Sequence, residues 1–234
     1  MRRAPLPDVF IHTVLWLNIL LIIHSAPFYS VRMSEVSASA AAEDTRTHIL
    51  DCAEARFRTF GYGKSTMAEI AGDAHMSAAN LYRYFDNKQE LGVACAKRCM
   101  DELFVALRTI VRKSDRHAAA TLVAFCVELA RWTHSNTANE PRINELVQML
   151  NSERKDVVVW RESRLHGLIA EILARGNDSG EFDIEDVIDA AQTVHASLML
   201  FQLPLLMGMY ELPELEARAA AVANLILRGL QTRS

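Results

Sequence analysis

The side chains best equipped for chemistry lie between Thr66 and Lys88. Ala78, Ala79 and Asn80 open a short helical segment, Arg83 and Tyr84 follow a turn later, and Leu81 and Phe85, four apart, anchor its opposite face. The outward set is small or hydrogen-bonding, and it sits at the start of a helix. That is equipment for hydrogen-bonding to and packing against a partner's surface, base edges being one such surface. An asparagine amide matches the donor and acceptor of adenine, an alanine methyl packs on thymine, and a guanidinium serves guanine or phosphate equally well. Catalytic patterns are missing: the sequence has no HExxH, no Walker or GxGxxG glycine pattern and no GxSxG. Its eight histidines are scattered rather than paired at ligand spacing, so neither catalysis, nor a metal, nor a cofactor is expected.

These side chains need helices to hold them. Ile49, Ala53, Phe57 and Phe60 recur at three- and four-residue intervals and predict an amphipathic helix from Thr45. Gly61-Tyr62-Gly63 ends it, with Gly61 placed as the C-cap. Thr66-Met67-Ala68-Glu69 has the form of a capping box, which predicts a helix over 67–73 with Ile70 and Ala71 inward. Asp73 to Met76 makes a turn, Ser77 caps a helix over 78–84, and Asn87 caps a longer one from Lys88 to near Arg112. Two short helices about a tight turn describe a helix-turn-helix.

Thr66-Met-Ala-Glu-Ile-Ala, then Met76-Ser77, then Leu81-Tyr82-Arg83-Tyr84-Phe85-Asp-Asn-Lys88-Gln-Glu-Leu91, preceded by Ile49 to Phe57 and Gly61-Tyr62, resembles the TetR/AcrR family of bacterial transcriptional regulators over residues 43–103. The resemblance implies that the second helix of the motif enters the major groove, bringing Ala78, Ala79 and Asn80 to base edges and Arg83 to guanine or phosphate. It further implies phosphate contacts from Thr66, Ser77, Tyr82, Tyr84 and Lys88. Tyr82 has a second reading as a core tyrosine, flanked as it is by Leu81 and Phe85. Arg83 could equally be a solvated side chain, and Arg56 and Arg58 read as an ordinary wet helix face. Two positions depart from the family: His75 stands where glycine is usual in the turn, and Tyr84 where histidine is commonest. His75 must then take the turn conformation at some strain.

Composition agrees with a helical, globular chain. The 234 residues are 50% hydrophobic and 23% charged with a net charge of −4, and only 9 Gly and 6 Pro leave few turns for a β architecture. Residues 45–98 carry eight basic and six acidic side chains, whereas 99–234 carry fourteen and nineteen, so the basic excess falls on the motif. Cys52, Cys95, Cys99 and Cys126 match no disulfide or CxxC spacing. They read as buried thiols in a reducing compartment, a thiol redox sensor being the alternative.

Residues 1–32 differ from the rest. Arg2 and Arg3 precede an apolar run from Val9 to Ile23, shorter than the roughly 20 residues of a spanning helix. It resembles a signal peptide. Translation from Met33, a membrane tether through residues 9–23, and export are the readings; the first is favoured. The domains expected are an N-terminal extension, 1–42, a DNA-binding domain, 43–103, and an effector-binding and dimerisation domain, 104–234.

Beyond residue 100 the period is helical throughout, including Val157 to Trp160, whose stripe continues through Leu165, Leu168, Ile169 and Ile172. Phe125, Trp132, Met149, Trp160, His166 and His195, each of which taken singly reads as an ordinary core residue, are together candidates for a small-molecule cavity of apolar walls with a few polar groups. Two further stripes close the chain. Ile184, Val187, Ile188, Ala191, Val194, Leu198 and Phe201 form one, and Leu215, Ala219, Val222, Leu225, Ile226 and Leu230 the other. The family resemblance implies that these two helices pair with their mates in a dimer; burial of both stripes within the monomer is the other reading. The expected protein is an all-α cytoplasmic homodimer that represses from a palindromic operator and is released by a small molecule.

Overall fold

In the computed structural model, residues 28–113, 117–138 and 140–230 are described, with side chains from residue 40 onward. The apolar run at 9–23 and its possible roles lie outside the described residues. Among the described residues every regular element is a helix, and no helix is long and apolar enough to cross a membrane. The chain divides into two compact units, Met1–His48 and Ile49–Ser234.

The punctuation of the sequence is what the backbone follows. Helix α1 (Phe28–Phe60) stops where Gly61 takes φ +87° and donates its N–H to the Phe57 carbonyl at 3.0 Å. Helix α2 (Met67–Asp73) carries the complete capping box: Thr66 Oγ1 accepts from the Glu69 N–H, and the Thr66 N–H donates to Glu69 Oε2 at 3.0 Å. His75 is strained as expected, with φ +54°, the only non-glycine residue of positive φ among those described. Helix α3 is shorter than predicted, Ala78–Leu81, because Arg83 and Tyr84 donate three residues back, to Asn80 and Leu81, and tighten the last turn. Asn87 caps α4 (Lys88–Val111) through a 2.8 Å bond from the Glu90 N–H.

Helices α1 to α4 close a first core around Ile49, Ala53, Phe57, Ile70, Leu81 and Leu91. Phe60 is not part of it. It is 49% exposed and lies under the Arg56 guanidinium, 5.0 Å from ring centroid to carbon. This core also takes in Leu146, Met149 and Leu150 of α6 (Ile143–Glu153) and Val157 of α7 (Lys155–Asp178). The second core joins the end of α4 to α5 (Ala118–Thr137), α7, α8 (Val187–Ser197) and α10 (Leu212–Leu230) around Leu107, Phe125, Ile169, Ile172, Val194 and Leu215. The apolar stripe expected to run to Pro204 is broken after Ser197: a 3-10 turn spans Met199–Gln202, and α9 (Pro204–Met207) starts at the proline. Gly176 is required inside α7, since a Cβ there would meet the Phe182 ring at 2.0 Å.

Candidate nucleic-acid interface and internal cavity

Helix α3 is held from beneath and open above. Leu81 and Phe85 are buried, Ser77 Oγ accepts from the Asn80 N–H at 3.2 Å, and Ala79, Tyr82 and Arg83 are exposed. Ala78 and Asn80 are half-buried, and among the described residues the one hydrogen-bond partner of the Asn80 amide nitrogen is the Met76 sulfur, at 4.0 Å. Tyr82 is 50% exposed, so its ring is no core tyrosine. Tyr84 is the one that packs against the first core. Thr66 is exposed at the start of α2, with its hydroxyl donating to Glu69 Oε2 at 2.7 Å.

Two cations have other work than the sequence suggested. Lys88 Nζ donates to the carbonyls of Tyr62 and Ser65, both at 2.9 Å, and of Gly63 at 3.3 Å, and lies 4.5 Å from the Tyr62 ring centre. An ammonium has three N–H donors, and all three are spent on the loop between α1 and α2. Lys88 therefore acts here as a positioning residue for that loop. Arg56 is no wet-face side chain either. It binds Glu69 at 3.1 Å and Asp73 at 2.9 Å, bracing both ends of α2 against α1. Lys64, which the sequence reading passed over, is exposed immediately before α2.

A cavity of about 300 Å³ lies between α1, α4, α5, α6, α7 and the segment from Met199 to Pro204. Of the six candidates only Trp132 lines it. Phe125 is fully buried in the second core, and Met149 belongs to the first. Trp160 packs edge-on against Phe104, ring centres 5.6 Å apart, beneath the cations of Lys97 and Arg164. His166 and His195 bond each other at 2.9 Å between Nε2 and Nδ1, and His195 Nε2 contacts Gln202 Oε1 at 2.9 Å. Of that chain only Gln202 reaches the cavity wall. Burial holds the His195 imidazole below its ordinary pKa and so favours its neutral form.

The residues missed on the wall include Cys99, Thr133 and Arg161. A signal for Arg161 was present: it stands four residues after Val157 and four before Leu165, on the apolar stripe of α7 rather than on its wet face. Burial pushes the Cys99 thiol up to about 11 and the Cys126 thiol up to about 12. Both are protonated at neutral pH and unsuited to redox sensing, which needs a thiolate.

The expected pairing face needs correction. Ala191, Val194, Leu198 and Phe201 are buried in the chain's own second core, so they cannot meet a partner. Ile184, Val187, Val222 and Ile226 are half-buried against the same core. Ile188 on α8 and Leu225 on α10 are 62% and 68% exposed and present the apolar surface that remains.

Comparison with known proteins places both halves of this arrangement. The family described as bacterial regulatory proteins, tetR family, matches residues 49–95, and the family described as tetracyclin repressor-like, C-terminal domain, matches residues 118–223. The chain is 27% identical over 139 residues to the HTH-type transcriptional repressor KstR2 of Rhodococcus jostii, covering 58% of this chain and 67% of that protein. It is 25% identical over 157 residues to ArpR of Pseudomonas putida, described as a probable HTH-type transcriptional regulator, covering 62% and 73%. Among solved structures, SmeT, the repressor of the Stenotrophomonas maltophilia multidrug efflux pump SmeDEF, matches with a TM-score of 0.60 at 21% identity, covering 81% of this chain and 91% of that one. SmeT has also been solved as a complex with triclosan.

Proposed function

Because the chain belongs to the TetR/AcrR family of DNA-binding bacterial transcriptional regulators, we propose that it is a homodimeric repressor that reads a palindromic operator and releases it when a small molecule fills the cavity. The observation that carries this reading is α3 itself: a Ser77-capped helix, anchored by Leu81 and Phe85, whose solvent face offers Ala79, Asn80 and Arg83. Asn80 and the alanines meet base edges, Arg83 meets guanine or phosphate, and Thr66, Ser77, Tyr82 and Tyr84 meet the backbone. Two such helices about one DNA turn (~34 Å) apart enter successive major grooves, so a palindrome follows from the two-fold axis. Ile188 and Leu225 supply the exposed apolar ground for pairing α8 and α10 with their mates. KstR2 and SmeT are described as repressors, and SmeT is seen with triclosan, which supports repression and a ligand-responsive cavity. An operator-binding regulator acts where the chromosome is, so the compartment proposed for it is the cytoplasm.

The test is operator selection from random duplexes, followed by footprinting and sedimentation of the complex. A symmetric footprint with half-sites about one turn (~34 Å) apart and two chains per duplex is expected. A single unpaired half-site, or a monomer on DNA, overturns the reading.

A further inference from the structure

The cavity wall holds two polar groups that the protein does not satisfy. Among the described residues Arg161 Nε is buried without a hydrogen-bond partner, and so is Gln202 Nε2, whose Oε1 is already engaged with His195. Both residues line the cavity. The other charges on that wall are accounted for: Glu54 is taken by Arg98 at 3.0 Å, and Arg58 reaches Glu140 at 3.9 Å. Glu162, next to Arg161 along α7, is near enough to act on its charge but forms no ion pair with it among the described residues. Desolvation works against the Arg161 cation. A buried donor without an acceptor is costly, and native chains keep few of them. Two on one wall call for an acceptor-rich occupant.

The remaining wall sets the rest of that occupant. Met100, Leu103, Leu146 and Leu150 are apolar, and Met199 and Leu203 line the cavity while being 43% and 38% exposed, which makes an apolar rim. A bare inorganic anion would leave these surfaces unused, and a neutral hydrophobe would leave both donors unsatisfied. A volume of about 300 Å³ suits a small ligand.

We propose that the cavity takes an anionic amphiphile, its carboxylate or sulfonate head held by the Arg161 fork and the Gln202 amide and its apolar body lying against Met100, Leu103 and Leu146. A guanidinium can offer a carboxylate two parallel N–H bonds, and a dry wall strengthens them. The inference rests on reading the cavity as the effector site, and it specifies the chemistry that site selects.

The test compares dodecanoate with 1-dodecanol, both below their aggregation concentrations, as competitors for N-phenyl-1-naphthylamine bound to the full chain. The two share a twelve-carbon tail and differ in the charged head. Wild-type protein is expected to prefer dodecanoate by roughly ten- to a hundred-fold, the range of one charge-assisted hydrogen-bonded contact. Arg161→Met removes that preference, and Arg161→Lys keeps only part of it, since an ammonium lacks the planar fork. Circular dichroism melts confirm that the variants are folded. Equal affinity for acid and alcohol in the wild type, or a preference that survives in Arg161→Met, overturns the proposal. The titration contains no DNA, so its result is independent of whether the protein releases an operator, which gel-shift assays with dodecanoate measure separately.

Discussion

Glu145 on α6 accepts the Gly63 N–H at 2.7 Å, and its carboxylate fills the space in which a Cβ on Gly61 would stand, 2.6 Å from Oε1. One side chain thus ties α6 to the loop that leads into α2; φ +87° is what favours glycine at residue 61, and the Glu145 carboxylate takes up the space beside it. Gly61→Ala carries the left-handed penalty of about 1–2 kcal/mol and must also push the carboxylate off Gly63. Glu145→Ala alone removes one hydrogen bond, about 1 kcal/mol. In urea melts the double variant is expected to cost less than the two single variants added together. Simple additivity would show that Glu145 does not crowd residue 61.

Lys88 gives a sharper contrast. The family resemblance assigns it a phosphate, and removing one phosphate contact per subunit would flatten the log–log salt slope of operator binding by about 2. The structure spends its ammonium on the carbonyls of Tyr62, Gly63 and Ser65. Lys88→Met is therefore expected to lower stability by about 1–3 kcal/mol and to leave the salt slope unchanged. A slope reduced by about 2 in a variant of unchanged stability restores the phosphate role.

Asn80 is the base reader in the proposed function. Its backbone is fixed by Ser77, and its amide has no stronger contact than the Met76 sulfur, so it is available to an adenine edge. Asn80→Ala is expected to cost about 1–3 kcal/mol at one base pair in each half-site and nothing elsewhere. Binding measured across all single-base operator variants checks this. An unchanged profile removes Asn80 from the readers.

What was legible in the sequence was what local chemistry decides. Thr66 and Glu69, Ser77, Asn87 and Gly61 lie within a few residues of the groups they satisfy, so the helix ends of the motif could be read directly. The cavity could not, because a wall assembled from six segments depends on which helix faces which. Phe125 and Met149 have the right chemistry but belong to two different cores. The stripe Ala191, Val194, Leu198 was correctly apolar, yet periodicity alone does not distinguish a chain's own core from a surface meant for a partner. Ile188, inside the stripe as read, is the member that geometry leaves outside.

The pH dependence of stability turns on His195. Its imidazole is held below the ordinary value of 6.5, chiefly by burial, with further opposition from the charges of His166 and Arg161 and partial relief from Gln202 and Glu162. With the Gln202 amide oxygen assigned toward it, His195 donates from Nε2 and accepts at Nδ1 from His166, an arrangement that needs His195 neutral. The unfolded chain takes up a proton near 6.5 that the folded chain refuses. Stability therefore carries this contribution in full above that pH and loses it as pH falls through 6.5 toward the lower folded value. Melting temperatures are expected to drop between pH 7.5 and pH 5.5 (about one unit either side of an unperturbed histidine). His195→Gln, which keeps an amide in place of the imidazole and cannot titrate, is expected to start less stable and to show a shallower drop. If wild type and variant lose stability in parallel over that range, the titrating group lies elsewhere and the relay through His166, His195 and Gln202 is not what senses the proton.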